Sequence, residues 1–323
     1  MKSHLLTRRQ VLRKTGLVLG AASLGLAAGD SRAASTPQPE SSSGGFTYCF
    51  NTGTILGQKL GLLKEIELAA QAGYDAIEPW VDSIEKYRQS GGALADVPKR
   101  LKDMRLTVAG AIGFAEWIVD DDDQRAKGLE RAKHDMDLVA QIGGRRIAAP
   151  PAGATNISGL DLKKAADRYR ALLELGEQSG VMPMLEIWGF SRNVSRLSEA
   201  LFIAAETGHP QASVLADVFH LYKGGSDYRG LGLVHGKALP VFHLNDYPAD
   251  PPRDKVNDSF RLMPGDGIAP LTQILRLLKA AGGRPVISLE LFSRKYWEMD
   301  ALAVAKEGLE KMKAAVARAL APD

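Results

Sequence analysis

From residue 46 onward, short apolar runs alternate with longer stretches whose apolar positions recur at helical spacing. The short runs predict strands at 46–50, 76–80, 107–112, 146–149, 182–187, 213–217, 240–244 and 286–291. Between them the 3.6-residue pattern predicts helices over 60–72, 120–142, 161–178, 197–207 and 271–281, and a helix over 300–320 closes the chain. Many of these stop at glycine (Gly73, Gly143, Gly180, Gly208, Gly282), as expected where a left-handed residue ends a helix before a buried strand. No Pro/Gly/Ser-rich linker breaks the alternation, so residues 46–323 read as a single α/β domain. Eight βα units predict a (β/α)8 TIM barrel. A doubly wound open sheet is the alternative, but it usually carries a glycine-rich phosphate loop after its first strand, where this chain has Asn51-Thr52-Gly53-Thr54.

Ahead of residue 46 the pattern changes. Thr7-Arg8-Arg9-Gln10-Val11-Leu12-Arg13-Lys14, followed by an Ala/Gly-rich stretch over 16–28 too short to span a bilayer, has the form of a twin-arginine signal. It predicts a cleaved address over 1–33, ending at Ser31-Arg32-Ala33, and an unpacked Ser/Pro-rich linker over 34–45. An uncleaved amphipathic helix is the alternative; the paired arginines and the lack of acids before Asp30 speak against it. The expectations are periplasmic or otherwise exported delivery by the twin-arginine machinery, already folded, with no stable membrane anchor.

That address alters the charge argument. The chain carries 41 basic and 38 acidic residues, and losing the six basic and one acidic residues of 1–33 leaves 35 against 37. A slightly acidic mature protein gives no support for nucleic-acid or membrane partners. Cys49 is the only cysteine, so no intramolecular disulfide can form and stability must come from the core. A homo-oligomer is left open.

Four strand candidates in the second half end in a metal-binding side chain: MLEIW with Glu186, VLADVFH with Asp217, VFHLND with His243 and VISLELF with Glu290. A carboxylate inside such a run is costly to bury unless it is hydrogen-bonded or metal-bound. Each alone reads as a satisfied polar group at a strand end; four on successive strands, at the face where such barrels keep their active sites, read as one site. Three carboxylates and an imidazole favour Mn2+ or Mg2+ and leave Zn2+ and Co2+ open. Trp80, Trp117, Trp188 and Trp297 also follow strand candidates, where rings stack on sugar C–H surfaces or simply pack the rim; Trp188 is the substrate-binding candidate among them. Glu78, at the end of the second strand, could bond a substrate hydroxyl or a neighbouring loop. The acidic run 120–123 reads as a helix start, and Gly230, Gly232 and Gly236 have the wrong spacing for a dinucleotide loop.

Leu185-Glu186, Asp217-Val218-Phe219-His220, His243-Leu244-Asn245-Asp246, Arg261 followed by Pro264-Gly265-Asp266-Gly267, and Ser288-Leu289-Glu290-Leu291 resemble the motifs of the xylose isomerase-like TIM-barrel superfamily, over roughly residues 46–319. That group includes sugar isomerases and epimerases, inosose dehydratase and endonuclease IV-type repair enzymes. In its tagatose/psicose 3-epimerase branch the residues matching Glu186, Asp217, His243 and Glu290 bind the metal, the two glutamates also move protons, and those matching His220 and Arg261 hold substrate oxygens. The resemblance implies these roles here. A long segment, 247–260, separates Arg261 from His243.

The chemistry also follows from the residue types. A divalent ion chelating adjacent carbonyl and hydroxyl oxygens would stabilise an enediolate by several kcal/mol as the neighbouring C–H proton leaves. Glutamates from strands five and eight could deprotonate and reprotonate from different sides, each step worth about 10²- to 10⁴-fold. Return to the opposite face of the same carbon is epimerisation, return to the neighbouring carbon is isomerisation, and loss of a β-hydroxyl is dehydration. An isomerase or epimerase on a carbohydrate is the first expectation, and a lyase or dehydratase on a keto-sugar or keto-inositol the second. A repair nuclease lacks its extra histidines and Asp-x-His here, and a non-catalytic sugar-binding barrel is the remaining class. Asp266 in the glycine-rich loop would repel a phosphate dianion, which favours an unphosphorylated substrate.

Overall fold

The computed structural model describes residues 45–322. The expected signal, the cleavage site and all of the linker but Gly45 lie outside that range. Eight parallel strands form one sheet: β1 Thr47–Asn51, β2 Ala76–Glu78, β3 Thr107–Val108, β4 Arg146–Ala149, β5 Met182–Glu186, β6 Val214–Asp217, β7 Val241–Leu244 and β8 Val286–Leu289. Ladders run β3-β2-β1-β8-β7-β6-β5-β4, and the β3 side closes onto β4 beyond the regular part of β3, where Ala111 N donates to Arg146 O and its carbonyl accepts from Ala148 N. The sheet is therefore a barrel, as expected.

β3 is shorter than the expected 107–112 because its register slips. Ile77 faces Val108 but Trp80 faces Ile112, so one extra residue is accommodated between the two pairings. Gly110 sits in that bulge, and a Cβ there would lie 2.8 Å from Glu78 Oε1.

The outer ring is α1 Leu62–Ala72, α2 Val81–Gln89, α3 Val97–Asp103, α4 Asp122–Gln141, α5 Leu162–Ser179, α6 Leu197–Glu206, α7 Val218–Gly224, α8 Leu271–Ala280, α9 Arg294–Trp297 and α10 Ala301–Leu320. Local chemistry sets their ends. Asp121, Asp161 and Asp300 cap α4, α5 and α10 by accepting from backbone N–H groups of the first turn. All five glycines expected at helix ends have positive φ, from 61° at Gly208 to 93° at Gly73.

Side-chain alternation along the strands divides the core. Phe50, Ile77, Leu185, Ala216, Phe242 and Leu289 join the large cluster shared with the helices. Met184, Leu215 and Val241 belong instead to a small cluster with Ile112 and Ala148, while Cys49 packs with Ala76. Two residues further along the same strands, on this second face, stand Asn51, Glu78, Glu186, Asp217 and His243. Among the described residues no helix is long and apolar enough to cross a membrane.

Candidate metal centre

One oxygen each from Asp217 and Glu290 and one ring nitrogen of His243 lie within 4.8 Å of one another, and all three residues are buried. Glu186 falls outside this tight group but is 4 % exposed, and its Oε2 has no hydrogen-bond partner.

The donors are held by a shell of hydrogen bonds. His243 Nε2 lies 3.1 Å from Glu78 Oε2, with both side chains fully buried. When the ring carries its proton on Nε2 for that contact, Nδ1 offers a lone pair; it stands 3.0 Å from Glu290 Oε2 and 3.8 Å from Asp217 Oδ2, with no well-formed hydrogen bond to either. A carboxylate behind a histidine is the arrangement that fixes tautomer and ring orientation in metal sites. Asn51 Nδ2 donates to Glu290 Oε1 at 3.0 Å, and Asn245 Nδ2 donates to Asp217 Oδ2 at 2.9 Å. Asp217 Oδ1 accepts from His220 N, since Asp217 also caps α7.

Arg261 enters through the long β7–α8 connection. The isolated bridge between Asp246 and Leu262 closes that excursion and returns Arg261 to the floor of the site, fully buried. Its Nη1 donates to Asp217 Oδ2 at 2.9 Å and Glu290 Oε2 at 2.8 Å; its Nη2 reaches Asp258 Oδ1 at 2.6 Å and His220 Nε2 at 3.0 Å. Accepting at Nε2 leaves His220 its Nδ1 proton, which has no partner.

The fields follow from this packing. Burial, then the charge of Glu290, pushes Glu186 up to about 8. Burial also pushes Glu290 up, but His243 and the Arg261 guanidinium outweigh it and hold Glu290 at about 2. Burial disfavours a charged His243, yet Glu290 and Glu78 raise it well above its ordinary value. The same carboxylates would favour a divalent cation at Nδ1 in place of that proton. Burial and Arg261 lower His220 and keep its ring neutral. An orphaned imidazole nitrogen beside two buried carboxylates and a third unpartnered carboxyl oxygen fits a divalent ion well.

Of this group Glu290 borders a cavity of about 330 Å³, which Glu186, His220, Asp258 and Arg261 also line. Trp80, Phe114, Trp188, Phe190 and Phe292 are in the same wall, Phe190 edge-on to His220 and Phe292 under Arg261. The sequence-predicted residues are distributed unevenly. Trp188, His220 and Arg261 are in this wall. Glu78, expected to reach a substrate hydroxyl or a loop, lies behind His243 instead, with no exposed surface. Trp117, read as a rim residue, is buried against Tyr169 and donates its indole N–H to Pro150 O at 2.9 Å. Trp297 packs beside Gly57 and bonds Gly53 O, outside the cavity wall.

Asn51, Asn245, Asp258 and the three phenylalanines were missed. Asn51 and Asn245 carried a signal, since each stands two residues beyond an inward-facing strand residue, Cys49 and His243. Asp258 and the phenylalanines sit on loops, where no periodicity marks the inward side.

The sequence profile of the xylose isomerase-like TIM barrel family matches residues 66–315. The chain is similar to an inosose isomerase of Bacillus velezensis, 26% identical over 274 residues, covering 84% of this chain and 97% of that protein. A 3-dehydroshikimate dehydratase of Pseudomonas aeruginosa is 24% identical over 253 residues, 78% of this chain and 39% of that longer protein. Among solved structures, the IolI protein with a bound zinc atom superimposes with a TM-score of 0.78 at 23% identity, covering 86% of this chain and all of that one. With its barrel closed and the profile spanning most of it, the chain belongs to the xylose isomerase-like TIM barrel family.

Proposed function

We propose that this protein is a divalent-metal-assisted isomerase or epimerase that moves a proton between or across adjacent carbons of an unphosphorylated keto-sugar or cyclic hydroxyketone. The observation that carries the reading is the buried Asp217–His243–Glu290 cluster, whose Glu290 borders a cavity that is also lined by Glu186, a carboxylate with one unpartnered oxygen. Inosose and 3-dehydroshikimate, named in two relatives, are both cyclic hydroxyketones.

Asp217, His243 and Glu290 would hold the ion, with Glu186 completing the set. The ion, when bound, supplies Lewis acidity to the adjacent carbonyl and hydroxyl oxygens of the substrate. The remaining work falls to side chains. His220 offers its free Nδ1–H to a substrate oxygen, and Arg261 balances the charge of Asp217 and Glu290. Glu186 and Glu290 border the cavity and are the groups able to carry the proton. The backbone N–H groups of Gly265 and Ala269 are consumed by the buried Asp246 carboxylate, and Asp266 pairs with Lys311, so the glycine-rich loop has little to offer a phosphate.

Glu186→Gln and Glu290→Gln, each with metal content measured on the same sample, test this reading. Loss of about 10²- to 10⁴-fold in solvent-deuterium uptake by the ketone, at unchanged metal content, is expected for a proton carrier. Near-normal uptake in both variants would remove the glutamates from the mechanism. Dehydration is the second reading, because one relative is a 3-dehydroshikimate dehydratase and Glu186 borders the cavity, where it could donate a proton to a leaving hydroxyl. NMR of the products separates the two. Export by the twin-arginine route is likewise proposed, from Arg8 and Arg9; their replacement by Lys should leave the precursor inside the cell, and normal delivery would refute the assignment.

A further inference from the structure

Five aromatic side chains line the cavity with the ionisable groups. Phe292 lies under Arg261 and Phe190 meets His220 edge-on, while four of the rings form a chain, Trp80 to Phe114 at 5.1 Å between centroids, Phe114 to Trp188 at 6.1 Å and Trp188 to Phe190 at 5.2 Å. The Trp80 indole N–H already has a partner, Nε1 lying 3.3 Å from Asn51 Oδ1. A sugar can lay its C–H face on one such ring, but rings spaced 5.2 and 6.1 Å apart extend beyond a single sugar ring, and a hydroxyl turned toward them would lose its water without gaining a partner. The wall suits a flat apolar group.

Phe114 and Phe190 are 43 % and 49 % exposed, yet the loop that carries Phe190 is rigidly built. Trp188 N donates to Val194 O, Ser191 N to Trp188 O and Arg192 N to Thr155 O. Asn193 anchors the same loop to the β4–α5 connection by donating to Ala154 O at 2.8 Å and Ile157 O at 2.5 Å and accepting from Leu160 N. Val194 is held at φ 55°, a costly conformation for a β-branched residue, and Gly189 packs so tightly that a Cβ would lie 2.2 Å from His220 O. Holding a half-exposed phenyl ring in one place at the expense of backbone strain is what a pre-organised binding surface requires.

We propose that the substrate is a keto-glycoside with an aromatic aglycone: the hydroxyketone ring lies on the metal side and the aglycone lies on the Phe114–Trp188–Phe190 wall. The proposal rests on the sugar-ketone reading above, and its test is built so that the two can fail separately. The probes are 4-nitrophenyl and methyl β-D-glucopyranoside and the 3-keto derivative of each. Calorimetric titration of the metal-loaded protein should show the aryl compounds binding at least about 10-fold more tightly than the methyl ones, the size expected of a ring stacked on two or more aromatic side chains. In a Phe114→Ala/Phe190→Ala double variant, verified as folded by its circular dichroism and melting curve, that preference should fall below about twofold. Equal affinities in the unaltered protein, binding of neither probe, or a preference that survives in the double variant overturns the proposal. Solvent-deuterium uptake into methyl 3-keto-glucoside without an aryl preference would overturn the aromatic subsite and leave the proton-transfer reading standing. An aryl preference that depends on the two phenylalanines, with no deuterium uptake into either ketone, would do the reverse.

Discussion

The two halves of the barrel share one architecture and divide the labour. Strands β5 and β6 end in Glu186 and Asp217, and His243 and Glu290 lie within one residue of the ends of β7 and β8; these are the ionisable groups able to hold an ion or move a proton. Strands β1 and β2 end at the same level in Asn51 and Glu78, which touch Glu290 and His243 and have no exposed surface of their own. One half carries the candidates for ligation and proton transfer, and the other holds two of them by hydrogen bonds. A site that must hold several carboxylates close together needs the second half as much as the first, because an unheld carboxylate would turn away from its neighbours or take up a proton.

Removing the ion separates the halves most sharply. If the β5–β8 half works through a divalent cation, chelation should lower solvent-deuterium uptake by about 10³-fold or more, since the Lewis-acid contribution is several kcal/mol. Adding back Mn2+, Mg2+, Co2+ or Zn2+ one at a time should restore it, and an activity indifferent to chelation would sink the metal assignment. The next largest effect should come from Arg261→Met, assayed as stability rather than rate. Arg261 is the buried cation among Asp217, Asp258 and Glu290. Its loss leaves those carboxylates uncompensated, which should cost about 3–5 kcal/mol in urea unfolding of the chelated protein. A divalent ion should recover part of that cost; no loss at all would mean the carboxylates are already neutral.

These differences track what was legible in the chain. Apolar runs ending in an acid or histidine announced β5 to β8 together with the candidate ligands, because a charge inside a strand pattern has few uses. Asn51 and Glu78 sit in equally regular strands, but an amide or acid at a strand end has many uses, and their partners Glu290 and His243 are 239 and 165 residues away. The β3 bulge is invisible to periodicity, since it depends on Gly110 making room for the Glu78 carboxyl. Trp117 misled for a related reason. It follows a strand, as rim tryptophans do, but its loop turns inward and gives the indole a backbone acceptor in the core.

Glu78→Gln tests whether the β1–β2 half only orients or also acts through its charge. The amide keeps the size and can still accept from His243 Nε2 through its oxygen, so the fold and the cavity should persist. What disappears is the negative charge that makes the imidazole a stronger donor, and metal affinity should fall by about 10- to 100-fold, the usual cost of disturbing such a partner. Isothermal titration of the chelated protein with Mn2+ measures it directly. An unchanged affinity would show that geometry alone matters, and the two halves would then differ less than their residues suggest.

The smallest effect comes from the tryptophan that lies outside the site. Trp117→Phe removes one buried hydrogen bond, that from the indole N–H to Pro150 O, and leaves that carbonyl without this donor. An unmade buried bond of this kind costs about 1–3 kcal/mol, and the smaller ring adds some lost packing against Tyr169. The melting temperature should therefore drop while turnover per folded molecule and substrate KM stay at their original values. Trp188→Phe gives the contrast, because it alters the cavity wall. Its KM should rise with little change in melting temperature. If Trp117→Phe shifted KM instead, the β3–α4 loop would be coupled to the cavity, and the division between an orienting half and a reacting half would have to include the loops as well as the strands.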